Sequence, residues 1–231
     1  MEKPRITIGI PCFDQGEYLS EAIESVLGQT EKSHEIIVIN DGSTDDTRYV
    51  AQQYSGVRYI EQVNKGLSSA RNTILMNATG DYILFLDADD KMLENCLKVV
   101  SDTIVNNPDA DIIAPSFKCF GKFQDEILLM PSPQLKDFKF VNGVPQNRIG
   151  YFSAIKKEAL LEVGGYSPRM TFGWEDLHLT INLLSRNKKI VTIPEVLILY
   201  RTKEHSMIHE ANAHATELKN QIFKDFPSLN D

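Results

Sequence analysis

The 231-residue chain is poor in cysteine, has a single tryptophan and carries no surplus of positive charge. Its three cysteines, Cys12, Cys96 and Cys119, are an odd number without metal-ligand spacing. That excludes a disulfide scaffold and points to a reducing compartment. With 24 basic and 32 acidic side chains the net charge is -8. A phosphate backbone would be repelled, so nucleic acid is not expected as the main partner. No apolar run approaches the roughly 20 residues needed to span a bilayer. Residues 1–5 are short and polar, unlike a secretory leader. No G-x-G-x-x-G, Walker loop or serine nucleophile elbow is present, which removes support for nicotinamide, NTPase and serine-hydrolase chemistry. What remains is 42% apolar and 24% charged, an ordinary globular composition. The expectation is one soluble, cytoplasmic domain, large enough to bury a core without crosslinks.

Two kinds of apolar segment alternate through the first half. Residues 5–10, 35–40, 57–61, 81–86 and 111–114 are short, rich in Ile, Val, Tyr and Phe, and bounded by Gly, Pro, Asn or Asp, as buried strands are. Between them run helical stripes: Leu19, Ala22, Ile23, Val26 and Leu27; then Ala70, Ile74 and Leu75; then Leu93, Leu97, Val100 and Ile104. Thr44 is placed to cap a helix over 45–54, and Gly80 to close the helix before it. Such alternation predicts right-handed crossovers and an α/β fold, a mostly parallel central sheet with helices on both faces. Residues 118–148, punctuated by Pro131, Pro133, Gly143 and Pro145, read as long loops. Helices are expected over 156–163 and 175–187, and two short strands near Ile190 and Val196. A last helix with Ile208, Ala211, Ala215, Leu218 and Ile222 on one face is expected to dock on the body.

In sheets of this kind ligands bind beyond the carboxyl ends of the strands. There the sequence sets Pro11-Cys12-Phe13-Asp14, Asn40-Asp41-Gly42-Ser43, Asn64-Lys65-Gly66 before Ala70-Arg71-Asn72, and Asp87-Ala88-Asp89-Asp90. Carboxylates without partners are costly to bury, so these side chains should face a cleft. Asp87 and Asp89, one residue apart as the chain leaves a strand, suit a shared hard cation such as Mn2+ or Mg2+. Glu175-Asp176, after Gly173-Trp174, puts carboxylates at a helix start, where the macrodipole favours them and a general base can be held. His205 and His209 are one turn apart, but Ser206 follows the first, so this is no zinc-protease motif.

In this order the segments resemble glycosyltransferase family 2, which has the GT-A fold. The resemblance is carried by Ile10-Pro11-Cys12-Phe13 with Tyr18-Leu19, by the run 22–30, by Glu35 through Asp45, and by Asn64-Lys65-Gly66 with Ala70-Arg71-Asn72. Gly80-Asp81 through Asp90, Gly164-Gly165-Tyr166, Gly173-Trp174-Glu175-Asp176, and Tyr200-Arg201 with His205-Ser206-Met207 continue it. Cys12-Phe13 departs from the family's usual small residue and tyrosine, though an aromatic ring is kept.

The resemblance implies a single GT-A domain over 1–231: a nucleotide-sugar-binding half, 1–117, an acceptor-side half, 118–205, and a C-terminal helix, 206–231. It implies inverting, metal-dependent transfer of a sugar from a nucleotide diphosphate donor, UDP-linked, to a saccharide or lipid-linked acceptor in cell-surface polysaccharide or glycolipid synthesis. Pro11, Phe13 and Asp41 would line the nucleobase pocket, with Asn64 and Ala88 beside the donor. Arg71 would sit by the base or diphosphate and Asp87 by the ribose. Asp89, with Asp87 and His205, would hold the metal. Asp176 would be the catalytic base, with Glu175 next to it. Peripheral association with the inner face of the membrane and a homodimer are left open. The alternatives are a nucleotidyltransferase, which needs a Gly-rich, Lys-bearing loop that residues 11–16 do not supply, and a silent sugar-nucleotide-binding module.

Overall fold

The computed structural model describes residues 3–122, 126–128, 138, 140–141, 144–145, 149–204 and 211–229. The first half alternates as expected: β1 (Ile6–Cys12), α1 (Gly16–Leu27), β2 (Glu35–Asn40), α2 (Thr47–Gln52), β3 (Val57–Glu61), α3 (Leu67–Asn77) and β4 (Tyr82–Phe85). A two-residue β5 (Lys91–Met92), α4 (Cys96–Asn106) and a long β6 (Ile112–Gly121) follow, with β7 (Ile127–Leu128), β8 (Phe140–Val141) and β9 (Val144–Pro145) as short pieces. The last elements are β10 (Ala154–Lys156), α5 (Lys157–Glu162), α6 (Glu175–Ser185), β11 (Ile190–Thr202) and α7 (Ala215–Asp225).

Among the described residues the main sheet runs β3-β2-β1-β4-β10-β6-β11-β5, with β7 beside β6. β3, β2, β1 and β4 are mutually parallel, as are β6 and β11, while β10 is antiparallel to both neighbours. Strand alternation sorts the apolar side chains onto two faces. Ile8, Ile10, Val38 and Leu84 point to α1 and α4, whereas Ile37, Ile39, Ile83 and Phe85 point to α3, α5 and α6. Both faces are therefore covered, and strands buried on both sides read as the unbroken apolar runs seen in the sequence.

Several local expectations are corrected. The helix expected over 45–54 is only α2, and Thr44 does not cap it. Thr44 N instead donates to Asp14 Oδ1 (2.6 Å), tying the loops after β1 and β2 together. Gly80 does not close α3, which stops at Asn77 with Ala78 extended. A Cβ at Gly80 would lie 2.7 Å from Thr7 Oγ1 and 2.8 Å from Arg5 O, so glycine is needed there for close approach to β1. The two strands near Ile190 and Val196 are one strand, β11, with register shifts around Val196. Pro194, unable to donate to the ladder, accounts for the interruption. Residues 118–121 continue β6 instead of opening a loop. Most of the loop expectation for 118–148 falls outside the described residues.

The C-terminal helix docks as expected. Ala211, Leu218 and Ile222 are buried against Leu177 and Ile181 of α6, with Met170, Trp174 and Phe138 completing the cluster; Ile208 lies outside the described residues. Burying a side chain such as Leu218 or Ile222 is worth about 1.5–3 kcal/mol, enough to hold a short helix that would not form alone. Among the described residues no helix is long and apolar enough to cross a membrane.

Candidate active site

The ends of β1 and β2 form one laced edge. Asp41 N donates to Cys12 O (2.9 Å), and Asp14, in the left-handed region (φ 48), donates from its own N to Ser43 Oγ (3.0 Å). Gly16 N donates to Asp45 Oδ2 (2.7 Å), so α1 starts against the loop after β2. Pro11 is buried, and Phe13, the next residue but one, is about half exposed (47%). Burial pushes the Cys12 thiol up to about 11, which keeps it an inert filler.

Asp41 is buried and accepts three hydrogen bonds. Oδ1 takes Gln62 Nε2 (2.7 Å) and Lys65 N (3.0 Å), and Oδ2 takes Gly66 N (2.9 Å). Gly66, at φ 83, turns the chain into α3, and Asn64, exposed, accepts from Gly66 N with its Oδ1 (3.1 Å). Gly42 is obligatory on two counts: its φ is 79, and a Cβ would meet Asn64 N at 2.7 Å. The residues at the first three strand ends are thus one hydrogen-bonded unit.

Arg71, in the middle of α3, was expected beside the base or diphosphate and is instead fully enclosed. One terminal nitrogen donates to Asp87 Oδ1 (2.8 Å) and the other to Glu175 Oε1 (2.5 Å), while Tyr151 and Tyr166 lie 4.9 and 5.3 Å away over the guanidinium. Burial pulls its pKa down, but the two carboxylates pull harder the other way, so it stays a cation. A buried guanidinium survives only when its charge is matched this closely. The next residue, Asn72, clamps the backbone of Tyr166 through both amide atoms (2.8 Å each). One helix therefore holds Asp41 at its start, and Asp87 and Glu175 from its middle.

Asp87 and Asp89 were expected to share a cation. The strand ends at Phe85, and 87–90 form a tight turn in which Asp90 N donates to Asp87 O (3.0 Å), so the alternation of a strand does not carry over to them. Each carboxylate holds its own cation: Asp87 takes Arg71, and Asp89 Oδ2 takes Lys203 Nζ at 2.6 Å. Ala88 is buried between them. Asp87 is 25% exposed at its surface yet otherwise walled by protein. Burial pushes its carboxyl up to about 6, against the pull of Arg71. Asp90 is buried, accepts from Arg201 N (2.7 Å) and the Tyr151 hydroxyl, and is held well above the ordinary carboxylate range by burial and by Asp89 and Asp87. Arg201 also donates from Nε to Asp89 O (2.7 Å), and its guanidinium is held between the rings of Tyr18 and Phe120 at 4.6 and 4.4 Å. Among the described residues no three His, Cys, Asp or Glu side chains come together as a metal cage. The partly exposed Asp89 carboxylate, already paired with an ammonium group, is the oxygen donor that suits a hard divalent ion taking its other ligands from phosphate or water. His205 lies outside the described residues.

Glu175 and Asp176 open α6 as expected. The chain enters through Gly173 (φ 125) and Trp174 (φ 57), and a Cβ at Gly173 would come within 2.8 Å of Ala211 Cβ. Glu175 is buried on Arg71, while Asp176 stays partly exposed, with Oδ1 accepting from Leu177 N (2.8 Å). Sequence reasoning missed Gln62, Tyr151 and Lys203, for which it carried no signal; Asp90 was named in the acidic turn but given no role, and it is buried instead of facing a cleft.

Residues 7–164 match the family model described as Glycosyl transferase family 2. Glycosyltransferase GlyG of Streptococcus pneumoniae is 30% identical over 224 residues, covering 88% of this chain and 72% of that protein. Glycosyltransferase GlyA of the same organism is 37% identical over 122 residues, which is 51% of this chain but only 17% of GlyA, so the chain spans a small part of that longer relative. Among solved structures, S. aureus TarS in complex with UDP-GlcNAc superposes with a TM-score of 0.79 at 18% identity, over 94% of this chain and 65% of that one. The mannosyltransferase PcManGT from Pyrobaculum calidifontis, in complex with GDP-Man and Mn2+, gives 0.73 at 17% identity, over 100% of this chain and 66% of that one. The ordered strand-end motifs, the sheet they lie on and these likenesses agree: the chain belongs to glycosyl transferase family 2 and has the GT-A fold.

Proposed function

We propose that the chain moves a sugar from a nucleoside diphosphate donor to an acceptor hydroxyl in one inverting displacement. The observation that carries this reading is the Arg71 bridge, which fastens Asp87, in the turn after β4, to Glu175, the first residue of α6 and the neighbour of Asp176 in the chain. Bond cleavage builds positive charge on the sugar and negative charge on the leaving diphosphate. Asp89 would hold a divalent cation, Mn2+ or Mg2+, which when bound supplies the countercharge for that diphosphate. Asp176, across the sugar, takes the proton of the attacking hydroxyl as general base. Glu175 is committed to Arg71 and orients its neighbour. Phe13 offers a face for the base, and Asp41 an acceptor for a base N–H. Arg71 works through the two carboxylates it holds and does not touch the donor.

UDP is the donor nucleotide favoured by the family resemblance. The Mn2+ and nucleotide-sugar complexes of the two structural neighbours support a donor of this class. The test is Asp176→Asn, measured by calorimetry and by transfer. Donor binding within about twofold of wild type and transfer reduced by at least about a hundredfold is the expected outcome. Transfer at the wild-type rate removes Asp176 from the mechanism.

A further inference from the structure

We infer that Gln62, locked by Thr73, is the positioning residue that decides which oxygen of Asp41 is offered to the nucleobase, and so restricts the donor to bases with a ring N–H. The inference rests on the reading of Asp41 as the base-binding carboxylate and adds what aims it. Gln62 is the first residue past β3, and its backbone N continues the sheet by donating to Asn40 O (2.9 Å). Its side chain reaches across to Asp41: Nε2 lies 2.7 Å from Oδ1. On the other side Thr73 Oγ1, from α3, lies 2.6 Å from Gln62 Oε1. The opposite amide orientation would set Oε1 against a carboxylate oxygen, so the arrangement has one satisfied form.

The acceptor inventory then assigns the ligand oxygen. A carboxylate offers about four acceptor positions. Gln62 Nε2 and Lys65 N fill both on Oδ1, and Gly66 N fills one on Oδ2. The remaining position is on Oδ2. A uracil, thymine or guanine presents a ring N–H to it. The matching ring nitrogen of cytosine or adenine is an acceptor and would face a carboxylate oxygen, leaving two acceptors opposed and unpaired. Removing the Gln62 amide frees a second acceptor on Oδ1 and lets the carboxylate rotate, which should weaken binding and blur the choice of base together.

The experiment measures Kd for UDP, GDP, CDP and ADP with Mn2+, and KM and kcat for the donor, in wild type and in Gln62→Met, Gln62→Glu, Thr73→Val and Asp41→Asn. Thermal denaturation of each variant reports folding. The expected result is preference for UDP or GDP in wild type. In Gln62→Met, Kd and KM should rise about tenfold, the scale of one lost hydrogen bond to a charged group, with kcat within about twofold. Gln62→Glu, which sets a second carboxylate against the first, should be weaker still. Thr73→Val keeps Gln62 and should give a smaller loss in the same direction, reading the coupling even if the Gln62 variants do not fold. Gln62 and Thr73 variants that bind like wild type, while Asp41→Asn does not, overturn the inference and leave the Asp41 reading standing. A fall in kcat at unchanged KM also overturns it, because a residue that only supports the fold would do that. If Asp41→Asn binds like wild type, or wild type binds none of the four nucleotides, the base-pocket reading itself fails.

Discussion

Replacing Arg71 with methionine keeps much of the side chain's length and removes its charge. In the native protein that charge lies between Asp87 and Glu175, with no solvent exposure of its own. The variant leaves two carboxylates, from the turn after β4 and from the start of α6, facing one gap without a cation. Breaking a buried ion pair by removing one partner costs about 3–5 kcal/mol, and here two partners are stranded, so the upper end applies. For a chain of this size that corresponds to a fall in melting temperature of roughly 10–20 °C. A control is Lys189→Met, which breaks the exposed pair with Asp109 and should cost no more than ~1 kcal/mol. Circular dichroism melts of the three proteins, with transfer assays at a temperature where all are folded, make the comparison. Arg71→Met should lose transfer even where it is folded, because Asp87 and the start of α6 are no longer fastened together. A variant that melts within about 2 °C of wild type and transfers sugar normally would refute the account of Arg71 as the bridge between the two carboxylates.

The ammonium group of Lys203 sits on Asp89, so it competes with any divalent ion for that carboxylate. Lys203→Met should tighten Mn2+ binding, measured by electron paramagnetic resonance without nucleotide, by about fivefold, the equivalent of ~1 kcal/mol; unchanged affinity would mean the two cations do not meet. His178 on α6 is buried, with Nε2 3.0 Å from Asp225 Oδ2 on α7, and Arg169 reaches the same oxygen at 3.0 Å. Burial holds the His178 pKa below its ordinary value even though Asp225 pulls the other way. Because the folded value is the lower one, this contribution to stability is complete above about pH 6.5 and is lost as pH falls through the depressed value. The melting temperature should therefore drop between pH 7.5 and 5.5, less steeply in His178→Gln, and equal slopes in the two proteins would contradict the assignment.

The parallel block was legible because its signal is local. Residues 36–39 and 82–86 are unbroken apolar runs between turn residues, and both faces of the sheet they form are covered. β10 was not legible: three residues, Ala154–Lys156, carry no period, and only their neighbours make them a strand. The carboxylates at Asp41, Asp87, Asp89 and Asp176 could be read from their places after strands and at a helix start. Their partners could not. Lys203 reaches Asp89 and Arg71 reaches Glu175 only through the tertiary fold, and nothing about a lone lysine or an arginine inside a helix announces which acid it will meet. The family resemblance implied a place for Arg71 by the base or diphosphate; its side chain is committed to Asp87 and Glu175, two carboxylates that would be costly to leave without a cation.

β4 and β6 do not pair with each other; the three residues of β10 stand between them like a keystone. Before that piece arrives, the polypeptide can build only two open blocks, β3-β2-β1-β4 on one side and β6 with its partners on the other, each with a raw edge. A chain cut short of Ala154 would expose both raw edges at once and should self-associate instead of remaining a smaller working unit.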